Sequence, residues 1–362
     1  MATLLPAQTL HQEALDYLKT LHKPQSIKPF KAIFHFPAMN QDTTNSCWSF
    51  STLSFVESEA HRLGLKPVKL AVMFPVYFAF IEKARRFVRT KGESRFGPGD
   101  LFTGVTDIIQ KYGMVPQSVY RGQVRNSETY NHIELESRLK QLMNEVKTLR
   151  LWDEDLVVAK VRQILDEELG PPPLHFMYEG HSYTPRSFRD TFVALPWKDY
   201  LMVTSFLYAP AYQFTELKVP DNWAHQKKYF NVPLTVFYNS LKQAVRTGFS
   251  VAFDSDIVEP GRMGKQDVTF VPPFDIPSSH IDAYARELRF ENGSTSDDHL
   301  MHIIGFHRFE GDDWFLVKDS WRTAWQGAQK GYYFFHGDYI KLKVLAYLVH
   351  KDGIPQITEH LP

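Results

Sequence analysis

A chain of 362 residues with 43% hydrophobic and 23% charged content has the make-up of a folded protein with a sizeable core and more than one lobe. Forty-one basic residues balance 41 acidic ones, which gives no electrostatic reason to expect nucleic acid or an anionic membrane as partner. The one cysteine, Cys47, excludes an intrachain disulfide and a cysteine metal cluster, and it fits a reducing compartment.

The first residues lack a basic stretch followed by a long apolar run, so neither a secretory signal nor a transmembrane helix is expected. The expectation is a cytoplasmic protein, or a periplasmic or secreted one if a native signal peptide has been removed. A polar loop, Asn40 to Ser46, precedes a helical pattern from Cys47 to Leu63, with Trp48, Leu53, Val56 and Ala60 near one face and Gly64 as the stop. Leu70 to Val88 reads as a second, strongly apolar helix. Gly92 to Gly104 is a glycine-rich loop, and Leu101 to Tyr112 is a helix stopped at Gly113. Apolar residues recur at helical spacing over His132–Leu149 and Glu154–Leu169, the latter closed by Gly170 and three prolines. Leu234–Thr247 is a further helix ended by Gly248. Thereafter the period changes, and Phe249–Phe253, His299–Phe309, Trp314–Lys318 and Gly331–Phe335 read as strands. Helices first and strands last predict an α+β protein.

A cysteine that opens a helix is the feature richest in chemistry. Backbone N–H groups and the helix dipole at that end favour thiolate over thiol. A buried structural cysteine is the plainer reading. Asn45 and Ser46 stand as N-cap candidates before Cys47, and Gln41 lies six residues upstream in the polar loop.

The segment from Gln41 through Cys47-Trp48-Ser49-Phe50-Ser51 resembles the active-site helix of the papain superfamily. Asp298-His299 through Phe306, Asp319-Ser320-Trp321 and Gly331-Tyr332 resemble, in the right order, that family's His, Asn-Ser-Trp and Gly-Tyr segments. The resemblance implies Cys47 as nucleophile, His299 as general base, Asp319 in place of the orienting Asn, and Trp321 as a shield over the His–Asp contact. It also implies Gln41 and the Cys47 N–H as oxyanion donors, with Trp48 and Asn45 in supporting places. Cys47 and His299 lie 252 residues apart, against about 130–150 in papain-type enzymes. The extra chain is similar to the bleomycin hydrolase/aminopeptidase C branch, in its shorter bacterial members, at Asp107–Pro116, Leu169–Pro173, Tyr183–Phe188 and Asn231–Leu234.

The fold this implies has a helical lobe with the nucleophile (37–120), a mostly helical insertion (121–230) and a β-rich, barrel-like lobe with the histidine (231–349). These lie between an N-terminal segment (1–36) and a tail (350–362) that in this branch lies near the cleft. The implied activity is hydrolysis of peptide bonds through a Cys47 thioester, aminopeptidase-like, with peptide substrates, no cofactor and room for a homo-oligomer. Two other readings stay open: an inactive papain-like scaffold that binds a partner, and a cysteine amidase or acyltransferase.

Four positions depart from the family pattern. Thr44 replaces a disulfide cysteine, and Asn45 replaces a glycine in a turn where Asn tolerates a left-handed backbone. Asp319 brings a carboxylate beside the imidazole. Arg322 adds a cation after Trp321. His299, His302, Asp297 and Asp298 are no metal set, because residues three apart on a strand point to opposite faces. His302 remains a fallback base and otherwise a core residue. Phe74–Phe80 reads as helix core, the basic run Lys83–Lys91 as a solvated helix face, and Asp254 with Asp256 as a strand-end turn rather than a glycosidase pair.

Overall fold

The computed structural model of the chain describes residues 7–124 and 128–361. It divides into two compact units, each assembled from separated stretches. One comprises Gln41–Lys198 with Glu216–Lys228, the other Met1–Asn40, Asp199–Thr215 and Tyr229–Pro362.

The first unit is built on helices. The helix Cys47–Arg62 is buried almost all round, from Cys47 through Ala60, as befits a run of small and apolar residues carrying Ser49, Ser51, Ser54 and Ser58. Its stop is as expected: Gly64 adopts φ +75°, and Leu65 N–H reaches back to the Ala60 carbonyl at 2.9 Å, closing the helix end. Helices Met73–Arg89, Phe102–Tyr112, Ile133–Thr148 and Glu154–Leu169 follow. In the last, Asp153 caps the first turn by accepting the Leu156 N–H at 3.0 Å. Phe74, Tyr77 and Phe80 are buried, in keeping with a helix core.

Lys83 overturns part of the expectation for the basic run. It is 1% exposed, and its ammonium donates to the Gly97 and Gly99 carbonyls at 3.0 and 2.5 Å. It lies 3.4 Å from Asp100 Oδ2 and is surrounded by the rings of Trp48, Phe80 and Trp223, 5.7–5.9 Å from each centroid. A glycine-rich loop places bare carbonyls and a carboxylate where the helix passes, so the cation is satisfied inside. Arg89 and Lys91, further along, are exposed.

The second unit is a ten-stranded sheet among the described residues. In order across it run Gln213–Thr215, Tyr229–Asn231, Tyr200–Thr204, Val344–His350, Val251–Ser255, His299–Phe309, Asp312–Lys318, Tyr332–His336, Val268–Thr269 and Arg262–Met263. Two pairs are parallel, Tyr200–Thr204 with Tyr229–Asn231 and Tyr332–His336 with Val268–Thr269; the rest are antiparallel. The helix Leu234–Arg246 contributes Phe237, Leu241 and Val245 to a core shared with Phe253, Ile303, Phe315 and Tyr347.

These contacts cut across the stretch 121–230. Its two long helices belong with the first unit, whereas Tyr200–Thr204 and Tyr229–Asn231 are strands of the large sheet. Sheet pairing reaches across sequence, so a division drawn at points along the chain does not capture it. The tail also has a definite seat. Ile354 and Ile357 are fully buried in the sheet's core, Gln356 Nε2 donates to Ser240 Oγ at 2.7 Å, and the His360 ring lies 4.1 Å from that of Tyr212.

Candidate active site

In the first unit, the surroundings of Cys47 are set by the loop before the helix Cys47–Arg62. Cys47 is the first helical residue, where the backbone N–H groups have no partner within the helix, and its exposure is 9%. Gln41 is buried. Its side-chain amide donates to the Thr44 carbonyl at 2.7 Å, and the Thr44 hydroxyl returns a bond to the Gln41 carbonyl at 2.9 Å. The amide nitrogen carries two hydrogens, and the one given to Thr44 fixes the plane in which the other lies. The place of the absent disulfide cysteine is thus taken by a hydroxyl that ties the loop non-covalently.

Two expectations for this loop need correction. The left-handed residue is Asp42, at φ +52°, and not Asn45. Asp42 Oδ2 accepts the Tyr130 N–H at 2.9 Å, which holds that turn. Asn45 instead uses its amide outward, donating to both carboxylate oxygens of Glu136 at 3.2 and 3.0 Å. Burial pushes the Glu136 carboxyl up, against the pull of these bonds. Ser46 occupies the N-cap position but makes no side-chain cap bond; its carbonyl accepts from Ser49 and Phe50 instead. Trp48 is buried, and its indole N–H is shared between the carbonyls of Asn45 and Pro98, at 3.1 and 3.0 Å. It pins the helix start to the glycine loop that Lys83 braces.

In the second unit, the surroundings of His299 lie within the sheet. His299 is the first residue of its strand, and Asp319 follows the end of the neighbouring strand Asp312–Lys318. Both are buried, and His299 Nε2 lies 2.7 Å from Asp319 Oδ1. The same oxygen accepts the Trp321 N–H at 2.8 Å. The Trp321 ring stands edge-on to the imidazole with centroids 6.0 Å apart. The Asp319 N–H donates to the Gly331 carbonyl at 2.9 Å. Gly331 has φ +88°, and a Cβ there would fall 2.3 Å from that of Ala38. Gly331 therefore supports the aspartate's backbone directly.

One member of this cluster gave no signal in the sequence. Arg262, on the two-residue strand Arg262–Met263, donates from Nη2 to Asp319 Oδ2 at 2.5 Å. Burial alone would raise the Asp319 carboxyl, but the charges of His299 and Arg262 and the bonds from His299 and Trp321 outweigh it and hold the group well below the usual carboxylate range. The aspartate is thus anionic, with the Arg262 guanidinium as counter-charge on one side and the imidazole on the other. His302 sits opposite Lys318 and Ala252 in the ladder; the Asp319 contact goes to His299. Arg322 is exposed and lies over the Trp321 ring at 5.5 Å. Among the described residues no three His, Cys, Asp or Glu side chains converge as a metal set.

A model of the Peptidase C1-like family matches residues 97–361, a stretch that contains His299, Asp319 and Arg262. The chain belongs to the Peptidase C1-like family. As a member of this family of cysteine-type peptidases it is similar to Aminopeptidase C of Streptococcus thermophilus, at 26% identity over 262 residues, 60% of this chain. That match spans only 58% of the Streptococcus protein's length. Aminopeptidase C of Lactobacillus delbrueckii subsp. lactis is 22% identical over 88% of this chain and 80% of its own. The crystal structure of PepW from Lactobacillus rhamnosis superposes with a TM-score of 0.73 at 17% identity, covering 98% of this chain and 91% of that one. The fold is therefore the papain-like α+β fold. Among the described residues no helix is long and apolar enough to cross a membrane.

Proposed function

We propose that this C1-like family member is a thiol peptidase that trims peptides from the amino end through a thioester on Cys47. The observation that carries the reading is the buried 2.7 Å contact between His299 Nε2 and Asp319 Oδ1. With Asp319 anionic, Nε2 carries the ring proton. The lone pair is then on Nδ1, the form a general base requires.

In the proposed reaction Nδ1 takes the Cys47 thiol proton and Sγ attacks the substrate carbonyl carbon. The oxyanion is held by the Gln41 amide and the Cys47 N–H, donors of a kind worth about 3 kcal/mol each. His299 then gives its proton to the leaving amine, the C–N bond breaks, and water hydrolyses the thioester with the imidazole again as base. The aminopeptidase character rests on likeness to proteins named Aminopeptidase C.

The test is labelling with an epoxide inhibitor of cysteine peptidases, read by intact mass, for wild type and His299→Ala, followed by product analysis on free and N-blocked peptides. One adduct on Cys47 that is lost in the variant, with cleavage confined to free amino ends, is the expected result. A folded wild type that takes no adduct overturns the reading in favour of a non-catalytic scaffold.

A further inference from the structure

The papain-like pattern places a neutral amide where this chain has Asp319. An amide offers the imidazole one oxygen and offers a neighbour an N–H; a carboxylate offers two acceptors and a charge. Here Oδ1 serves His299 and the Trp321 N–H, and Oδ2 receives Arg262. The side chains of Arg262 and Asp319 are 6% and 0% exposed.

The bonding of Arg262 says what it is for. Its Nε–H is buried without a hydrogen-bond partner, its Nη1 has the Met301 sulfur at 3.7 Å, and its plane lies 4.5 Å from the Tyr333 ring centre. Asp319 is its one strong acceptor. Buried Arg286 in the same unit is different: it donates to three backbone carbonyls, of Ser205, Lys341 and Leu345, and so braces the fold. A guanidinium sunk in the interior for a single carboxylate repays its desolvation only through that carboxylate.

We propose that Arg262 is a positioning residue for the peptidase reaction: it holds and neutralises Asp319, so that the two side chains orient His299 together as one uncharged unit. This rests on the reading of His299 as the general base. Titratable groups near the pair include Tyr333, Tyr339, Asp298 and Asp256. Tyr333 and Tyr339 face Arg262, and Asp256 follows Ser255, the ladder partner of His299. All four are unchanged in every variant below, so differences between variants isolate the pair.

The experiment is a charge cycle on the full chain: Arg262→Met, Asp319→Asn, the double variant and Arg262→Lys, with pH profiles of kcat and kcat/KM. Arg262→Met leaves the imidazolium facing an uncompensated carboxylate, so the alkaline limb of the profile moves up. Asp319→Asn leaves it facing an uncompensated guanidinium, so the alkaline limb moves down. The double variant restores the limb and regains about tenfold or more in kcat over the worse single variant, the non-additivity expected of directly coupled groups. Limbs that shift the same way or not at all, or a double variant no better than its parents, overturn the proposal. If Arg262→Met does not fold, Asp319→Asn against the double variant decides the matter: the double must be the more active and the more heat-stable. His299→Ala separates the two claims, since retained activity there sinks the His299 assignment itself, whereas lost activity with an unresponsive cycle sinks only the role of Arg262.

Discussion

Lys83→Met in the first unit tests whether a buried cation braces the glycine-rich loop to which Trp48 is bonded. Methionine matches the volume of the lysine stem, but it gives up the ammonium's place over the rings of Trp48, Phe80 and Trp223, abandons the Gly97 and Gly99 carbonyls and leaves the Asp100 carboxylate with the Leu101 and Trp223 N–H groups but no counter-charge. Asp100 is 2% exposed; burial raises its carboxyl and the nearby Lys83 charge pulls it back down. Removing one partner of such a pair typically costs about 3–5 kcal/mol, which at about 2–4 °C per kcal/mol for a unit of this size predicts a Tm lower by roughly 6–20 °C. The sign of the pH dependence follows from the carboxyl. A folded-state pKa raised above the unfolded one means that the folded form binds more protons, so stability falls as pH rises through that window. Without Lys83 the window widens upward, and the loss against wild type should be smaller at pH 5 than at pH 8. Lys83→Met/Asp100→Asn should recover most of the loss. Scanning calorimetry at the two pH values, with the rate of Cys47 alkylation followed alongside, reads all of this. A Tm within about 2 °C of wild type, or a deficit that grows on acidification, would refute the reasoning.

Three further outcomes follow from the site. Gln41→Ala should lower kcat by about 10²–10³-fold, as loss of an oxyanion donor does, while Cys47 still takes up a small alkylating agent. If kcat holds, Gln41 is only a loop tie to Thr44. Gly331→Ala should cost about 2 kcal/mol or more, because it combines a positive φ with overpacking, and should slow catalysis through the Asp319 backbone; unfolding in urea measures the first and steady-state kinetics the second. Asp256 is pushed up to about 7, chiefly by burial, with Asp298 and Glu259 adding to it. Its contribution to stability is therefore greatest below about pH 4 and is lost as pH rises to about 7. Asp256→Asn should gain on wild type as pH rises across that range, and a constant difference in Tm would count against it.

Much of this was legible in the sequence where a residue's local role and its tertiary role coincide. Cys47 opens its helix, Gly64 and Gly113 stop theirs, and His299 starts the strand His299–Phe309, as the spacing predicts. The strand Val344–His350 escaped because an unbroken apolar run has no period to distinguish strand from buried helix. Lys83 escaped because a lysine among arginines on a helix looks solvated; only the loop that folds over it supplies the carbonyls. Arg262 escaped for a similar reason. Its strand is two residues long, and its partner is 57 positions away, brought near by a ladder that no local pattern encodes.

The order of strands in the sheet also bears on how the chain is made. Val344–His350, the last strand in sequence, lies in the middle of the sheet, between Tyr200–Thr204 and Val251–Ser255. Until the ribosome has delivered it, the sheet exists as two parts, of three and six strands, each with an unpaired edge, and such edges invite intermolecular pairing. A premature stop before residue 344 would therefore not trim the protein but divide it. Nascent chains stalled there should depend on chaperones more heavily than chains released a few residues after His350.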